Sequence, residues 1–202
     1  MAIETARDTL GDMGVRVPDV YFAGVKPRIK NQQVLIQERL PGVVLSVARP
    51  YISTAHRDSF KEQAREILRC LYAIKPSDKS QAENQLVPDQ NILSNGRIPD
   101  IEREILFNPH CSISPGTNNE EVSGARLGTG LAHNDLTPSN IVASNDKTTG
   151  LIDWEMAGFF PWNTAAEIHR RIRTPQREQF AAAGLSEEVL EDMLFWTDLY
   201  DF

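Results

Sequence analysis

The sequence predicts an α+β fold, and two patterns support that prediction. The first is a helical repeat of apolar residues over 54–74, at Phe60, Ala64, Ile67, Leu68 and Leu71. The second is a pair of short apolar segments, 141–143 and 150–152, on either side of the polar turn 144–149, which is typical of a β-hairpin. The 202 residues are enough to form one sizeable core or two small lobes.

Shorter patterns predict the other elements. A first helix is expected over 2–13 and ends at Gly14, and two strands are expected over 19–25 and 33–38 with a turn between them. The elements expected after the long helix are polar loops over 76–98 and 112–124, a short helix over 101–107, and helices over 164–172 and 186–200.

Composition excludes several classes of protein. The chain has 21 Lys and Arg against 28 Asp and Glu, a net charge of -7, so it lacks the basic stripe of a nucleic-acid binder. No window approaches the roughly 18 unbroken apolar residues of a membrane span, and the first residues lack the pattern of a secretory signal. Cys70 and Cys111 are too few for a disulfide framework. We therefore expect a cytoplasmic protein that binds neither nucleic acid nor membrane.

The negative charge is concentrated at the C-terminus. No Lys or Arg follows Arg177, and the tail beyond it contains seven acidic residues: Glu178, Glu187, Glu188, Glu191, Asp192, Asp198 and Asp201. These residues form either a solvated helix face or an acidic wall that attracts a cationic ligand.

One polar stretch carries the chemistry. It reads His133-x-Asp135-Leu136-x-x-x-Asn140, and the predicted hairpin brings Asp153 back beside it. One carboxylate can accept a proton from an attacking hydroxyl, while a second carboxylate and an amide oxygen suit Mg²⁺. These groups are what phosphoryl transfer requires, because its catalysis is mostly positioning and charge neutralisation.

Two sets of polar residues also have a structural interpretation or a different chemical one. Asp135 and Asn140 are also common turn formers, and Asp153 could simply cap a strand. His110 and Cys111 form an adjacent pair, but no second pair stands at metal-ligand spacing, so we expect no zinc site.

The stretch matches the kinase catalytic-loop pattern H-x-D-L-x-x-x-N, with Asp153 in the place of the Asp of D-F-G. The segment LAHNDLTPSNIVASNDKTTGLIDWEMAGFFPW resembles the catalytic core of the aminoglycoside phosphotransferase and choline kinase-like family, particularly of its fungal members. The segments VPDVYFAGV and VLIQERLPGVVLS are similar to the family's strand after the first helix and to its inter-lobe hinge. The resemblance runs along the whole chain and is most specific from His133 to Gly158.

The resemblance implies roles for the residues of this stretch. Asp135 would be the catalytic base, Asn140 and Asp153 would bind Mg²⁺, and His133 would anchor the loop. The reaction implied is transfer of the ATP γ-phosphoryl group to a hydroxyl of a small molecule, which could be cationic.

The resemblance also implies a nucleotide site in the first forty residues. The backbone at Glu38 and Leu40 would face the adenine, with Ile36 or Gln37 at the border of the pocket. Glu4 would be the partner of a phosphate-binding lysine.

The implied fold is the bilobal protein kinase-like fold, with a partial N-terminal lobe over 1–41 and a mainly helical C-terminal lobe over 42–202. The family's strands ahead of the first helix, with their lysine and glycine-rich loop, have no counterpart here, since no Lys precedes Lys26. We therefore expect a truncated N-terminal lobe. Two alternatives follow: a truncated or degenerate kinase-like protein without catalytic activity, and a nucleotide-independent hydrolase that uses Asp135 with a bound metal.

Overall fold

A computed structural model describes residues 2–26, 32–76, 85–86, 100–107 and 128–202. The helices are α1 (Ala2–Asp12), α2 (Leu45–Ala48), α3 (Thr54–Ala73), α4 (Asp100–Phe107), α5 (Trp162–Ile168) and α6 (Glu187–Leu194). Short 3₁₀ helices cover Arg49–Tyr51 and Arg177–Phe180, and one π-helical turn covers His169–Arg173. The strands are β1 (Val20–Lys26), β2 (Gln32–Gln37), β3 (Val43–Val44), β4 (Gln85–Leu86), β5 (Gly130–Ala132), β6 (Ile141–Ser144), β7 (Lys147–Leu151) and β8 (Gly158–Phe160).

The strands form three small antiparallel sheets. β1 pairs with β2, β6 lies between β3 and β7, and β8 lies between β4 and β5. Arg16 adds a parallel bridge to Gly150, with its N–H 3.0 Å from the Thr149 carbonyl oxygen. These helices and small sheets confirm the α+β prediction.

The long helix α3 organises the core. Ser53 caps its first turn by accepting a hydrogen bond from the His56 N–H at 3.3 Å. The five apolar residues predicted for its buried face are all buried. They pack in one cluster with Ala6 and Leu10 of α1, with the strands β5 to β8, and with Trp196 near the C-terminus.

Several predicted boundaries are corrected. The hairpin turn is not six residues long but consists of Asn145 and Asp146, both at positive φ, as in the tight turns that suit strand twist. The second hairpin strand ends at Leu151. Of the loops predicted over 76–98 and 112–124, residues 85–86 form β4, and 77–84, 87–99 and 112–124 lie outside the described residues.

The last two predicted helices also differ. The helix expected over 164–172 begins earlier, at Trp162, and changes to a π-helical turn at His169. The helix expected over 186–200 ends at Leu194, because the chain then folds in turns that bury Trp196 and Leu199. Among the described helices, none combines the length and apolarity needed to cross a membrane.

Candidate active site

The loop of residues 133–140 connects β5 to β6 and is held by its own backbone. The Thr137 N–H donates to the Asp135 carbonyl oxygen, and the Asn140 N–H donates to the Thr137 carbonyl oxygen, both at 2.9 Å. Neighbouring elements fix it from outside, since the Trp196 indole N–H donates to the Leu136 carbonyl oxygen at 2.9 Å. The loop is therefore a rigid platform for the side chains that it carries.

His133 anchors this loop to the hairpin from inside the core. Its side chain is fully buried, with Nε2 3.1 Å from the Ile152 carbonyl oxygen and Nδ1 3.3 Å from the Asp135 N–H. The first contact requires a donor and the second an acceptor, so the ring is neutral with its proton on Nε2. Burial lowers the pKa of His133 to about 4, which is consistent with that state.

Asp135 is partly exposed at the surface of the loop. Its Oδ1 lies 3.3 Å from Nε of Arg173. The pKa of the Asp135 carboxyl is raised, chiefly by burial and further by the neighbouring charge of Asp153, while Arg173 and a hydrogen bond from Asn140 oppose the rise. The carboxylate thus lies beside one cation and near a second carboxylate.

Asn140 and Asp153 lie at the two ends of the hairpin, just before β6 and just after β7. The Ile152 N–H donates to the Asn140 carbonyl oxygen at 3.0 Å, which places Asp153 beside the end of the loop. The Asn140 amide is oriented by a 2.9 Å hydrogen bond from its Nδ2 to the Asp135 carbonyl oxygen. Asp153 is exposed and has φ +64°, a left-handed conformation that Asp adopts more readily than most residues.

Two charged residues in this region were not predicted from the sequence. Arg173 contacts Asp135 and also forms an ion pair with Glu102 of α4, whose exposed fraction is 1%. The sequence around Arg173 does not mark it as a site residue, because two other arginines precede it in the same segment. The sequence does mark Glu102, because its carboxylate is on the same helical face as Ile105 and Leu106, which are both buried.

A third exposed carboxylate borders the site. Glu155 follows Asp153 in the same turn, and its pKa is raised by burial and by the charges of Asp153 and Asp135, while Arg173 opposes the rise. Within the described ranges, no three His, Cys, Asp or Glu side chains are arranged to hold a metal ion by themselves.

The residues expected around the adenine lie in the β2 strand and the segment after it. Ile36 and Gln37 are exposed in β2, whereas Leu40 is buried. The side chain of Glu38 forms an ion pair with Arg16, and its N–H donates to the Asp19 carbonyl oxygen at 2.7 Å. Glu4 is exposed in the first turn of α1.

Part of the acidic tail is paired with basic residues, which leaves fewer unpaired charges for an acidic wall than the sequence suggests. Three of its seven carboxylates form ion pairs. The pairs are Glu187–Arg177, Asp192–Arg49, Asp192–Arg57, Asp198–Lys61 and Asp198–Arg65.

A cleft of about 830 Å³ lies between residues 46–57 and α6, and these paired groups line part of it, including Arg49, Arg57 and Asp192. At its edge, the Ser46 N–H donates to the Pro138 carbonyl oxygen at 2.9 Å.

Comparison with known proteins gives a family match and several structural similarities. Residues 117–190 match the model of the phosphotransferase enzyme family. The sequence has no significant match among curated proteins.

Among solved structures, the chain is similar to aminoglycoside phosphotransferase APH(3'')-Id from Streptomyces rimosus, with 15% identity, a TM-score of 0.45, and coverage of 100% of this chain and 82% of that chain. It is also similar to a thermostable mutant of aminoglycoside phosphotransferase APH(4)-Ia in its apo form, with 17% identity, a TM-score of 0.46, and coverage of 99% and 75%. A third similar structure is the ternary complex of an APH(4)-Ia variant with AMP-PNP and hygromycin B, with 17% identity, a TM-score of 0.47, and coverage of 98% and 66%. The family resemblance predicted from the sequence is thus confirmed over residues 117–190, the segment that contains Asp135, Asn140, Asp153 and Arg173.

Proposed function

We propose that this protein is an ATP- and magnesium-dependent phosphotransferase that moves the γ-phosphoryl group to a hydroxyl of a small molecule. One observation carries the proposal: the Asn140 amide donates to the Asp135 carbonyl oxygen, the Asn140 carbonyl oxygen accepts from the N–H of Ile152, and Asp153 is the next residue, with its charge near Asp135. These residues lie inside the segment that matches the phosphotransferase family. The match supports the reaction class, and the chemistry of the side chains supports the individual roles.

Asp135 is the proposed catalytic base. It is partly exposed, so an acceptor hydroxyl can approach its carboxylate, and the rigid 133–140 loop fixes its position. The raised pKa of the carboxyl brings its basicity closer to that needed near neutral pH. His133 is buried and neutral, so its proposed role is to anchor the loop.

Asn140 and Asp153 are the proposed ligands of Mg²⁺. The hydrogen bond from Asn140 Nδ2 leaves its amide oxygen as the atom that can bind a cation, and Asp153 supplies an exposed carboxylate. An amide oxygen and a carboxylate oxygen are the hard ligands that Mg²⁺ prefers, together with waters and phosphate oxygens. The ion would neutralise charge on the phosphates.

The adenine would contact the backbone of Glu38 and Leu40, with Ile36 or Gln37 at the border of its pocket. Because the Glu38 N–H already donates to Asp19, this residue would contribute its carbonyl oxygen. Glu4 is proposed as the partner of a phosphate-binding lysine, a residue that this sequence does not contain before Lys26.

The test is transfer of labelled phosphate from γ-labelled ATP to a panel of hydroxylated acceptors, both cationic and neutral. Asp135→Asn is the matched variant, because it keeps the size of the side chain and removes its basicity. We expect label on at least one acceptor with the wild-type chain and about 10²–10⁴-fold slower transfer with Asp135→Asn. Equal rates of transfer by the two proteins would show that Asp135 is not the catalytic base.

The alternative is a degenerate or truncated kinase-like protein that lacks catalytic activity. Loss of a phosphate-clamping cation typically slows transfer by orders of magnitude, so a kinase-like chain without one would transfer little or no phosphate. The same assay separates the two proposals, because the alternative predicts that no acceptor is labelled.

A further inference from the structure

We infer that Arg173 is a positioning residue for Asp135, and that the buried carboxylate of Glu102 holds Arg173 in place. The inference rests on the proposed role of Asp135 as base, and it extends that role to two residues outside the loop. Neither residue belongs to the His133–Asn140 pattern or to the Asp153 turn.

Arg173 contacts three different groups at once. Its Nε donates to the Asn134 carbonyl oxygen at 3.0 Å and lies 3.3 Å from Oδ1 of Asp135. Its NH2 nitrogen forms the ion pair with Glu102. The guanidinium thus joins α4 to both the backbone and the side chain of the loop through two different nitrogens, which the single nitrogen of a lysine ammonium cannot reproduce.

Glu102 gives the guanidinium a fixed position. Its side chain is almost fully buried, and burial raises the pKa of its carboxyl, while the charge and hydrogen bond of Arg173 oppose the rise. A buried carboxylate is stable only when it is paired and hydrogen-bonded. The pairing therefore also restrains Arg173, which is itself mostly buried, with 16% of its side chain exposed.

The backbone around Arg173 is equally constrained. It is the last residue of the π-helical turn, and turns of this kind occur frequently at functional sites. The Thr174 hydroxyl closes the turn by donating to the carbonyl oxygens of His169 and Arg170, at 3.2 and 3.1 Å. Arg170 and Arg171 of the same turn instead extend to the exposed side and pair with Glu167.

This geometry assigns different roles to the two oxygens of Asp135. Oδ1 faces Arg173, so Oδ2 is the oxygen left to accept a proton. In the transfer step, the acceptor oxygen bonds to phosphorus, its proton passes to Oδ2, and the bond from phosphorus to the ADP oxygen breaks. A carboxylate free to rotate would present Oδ2 in the right direction for only part of the time.

The first test measures ATP turnover with water as the acceptor, using the full chain with Mg²⁺. Arg173→Lys keeps the charge and the buried pair but cannot contact all three groups, and Arg171→Lys is the matched control in the same turn. We expect Arg173→Lys to lower kcat at least about tenfold and to change the KM for ATP less than about twofold. The control should change neither value. An Arg173→Lys protein with the wild-type kcat would overturn the inference.

The second test needs no activity. Urea midpoints are measured for Arg173→Lys in the wild-type background and in the Asp135→Asn background, with Arg171→Lys in both as control. If Arg173 holds the Asp135 carboxylate, its substitution shifts the midpoint less in the Asp135→Asn background, because part of the interaction is already lost. Equal shifts in the two backgrounds would contradict the inference. Absence of ATP binding in the wild-type chain would instead contradict the proposed function, and the midpoints would still decide about Arg173.

Discussion

Two buried histidines hold separate parts of the site through single hydrogen bonds to carbonyl oxygens. His133 contacts the Ile152 carbonyl oxygen, and His169 contacts the Trp196 carbonyl oxygen at 2.8 Å. Burial lowers the pKa of each ring to about 4. Both rings are therefore neutral in the folded protein at pH 7, and each donates one N–H to the backbone.

These lowered pKa values predict a loss of stability in mild acid. Between about pH 6.5 and pH 4 the unfolded chain binds a proton at each histidine and the folded chain does not, so the free energy of unfolding falls as pH falls. Each histidine contributes a slope of about 1.4 kcal/mol per pH unit in that window. Urea unfolding of the wild-type chain and of His169→Gln across pH 8 to 4 measures the slope.

The difference between the two proteins isolates His169, because carboxylates that titrate in the same range contribute equally to both. Gln can still donate to the Trp196 carbonyl oxygen, so the variant should fold. Between about pH 6.5 and pH 4, we expect the free energy of unfolding of the variant to change less steeply with pH, by about 1.4 kcal/mol per pH unit. Identical slopes would show that the His169 ring is not held neutral.

At the scale of elements, close packing of α3 against β5 depends on one glycine. A Cβ on Gly130 would lie 2.3 Å from the Tyr72 carbonyl oxygen and 2.5 Å from its Cδ2 atom, so the strand or the helix would have to move. A Cβ on Gly128, two residues earlier, would have no atom within 4 Å. Gly130 therefore permits the approach that brings β5, and the loop after it, onto the core.

We predict that Gly130→Ala lowers the free energy of unfolding by about 1–3 kcal/mol, the usual cost of overpacking. Gly128→Ala is the matched control and should change it by less than about 0.5 kcal/mol. Thermal or urea unfolding of the two variants checks both values. Equal stabilities would mean that α3 and β5 are packed less tightly than this arrangement requires.

Regular apolar patterns explain which elements could be predicted. The period of the long helix α3 and the two apolar segments of the hairpin are local signals, so both elements could be predicted, although the hairpin turn is shorter than the sequence predicts. The strands β5 and β8 gave no such signal, because each has three residues and all of them are buried. The end of α6 could not be predicted either, because no helix breaker follows Leu194. The helix ends there because the chain continues in turns that bury Trp196 and Leu199.

The residues of the candidate site also differ in whether local sequence spacing or only tertiary packing brings them together. Asp135 and Asn140 are five residues apart on one loop, and the hairpin returns Asp153, so spacing alone groups them. The pairing of Arg173 with Glu102 joins residues that are 71 positions apart. That contact depends on the tertiary packing of α4 against α5, and the position of Glu102 on an apolar helix face does not indicate which cation it meets.

At the scale of the whole molecule, the net charge of -7 is distributed differently in space than along the chain. The acidic tail follows the last basic residue in the sequence, yet the folded chain returns it to basic residues of α3 and of the segment before it. Asp192 contacts both Arg49 and Arg57, whose side chains are 27% and 21% exposed. Asp192 and Asp198 thus link the C-terminal segment to the long helix.

We predict that Asp192→Asn lowers the free energy of unfolding by about 1 kcal/mol, because one carboxylate serves two partly buried guanidinium groups. Glu191→Gln makes the same change of charge at the neighbouring residue and should cost less than about 0.5 kcal/mol. The difference should shrink in 1 M salt, which screens exposed pairs. If the two variants are equally stable, these ion pairs do not hold α6.

We propose that Asp153 helps to bind magnesium and ATP in one site with Asn140 and Asp135. Calorimetric titration of the full chain with ATP, with and without Mg²⁺, tests it most directly. Asp153→Asn removes the charge at a residue type that tolerates positive φ, and Asp146→Asn makes the same change at φ +59° in the turn of the same hairpin. We expect Mg²⁺-dependent ATP binding that weakens at least about tenfold in Asp153→Asn and is unchanged in Asp146→Asn. No binding of ATP at millimolar concentration, or equal affinity in the Asp153→Asn and wild-type chains, would contradict it.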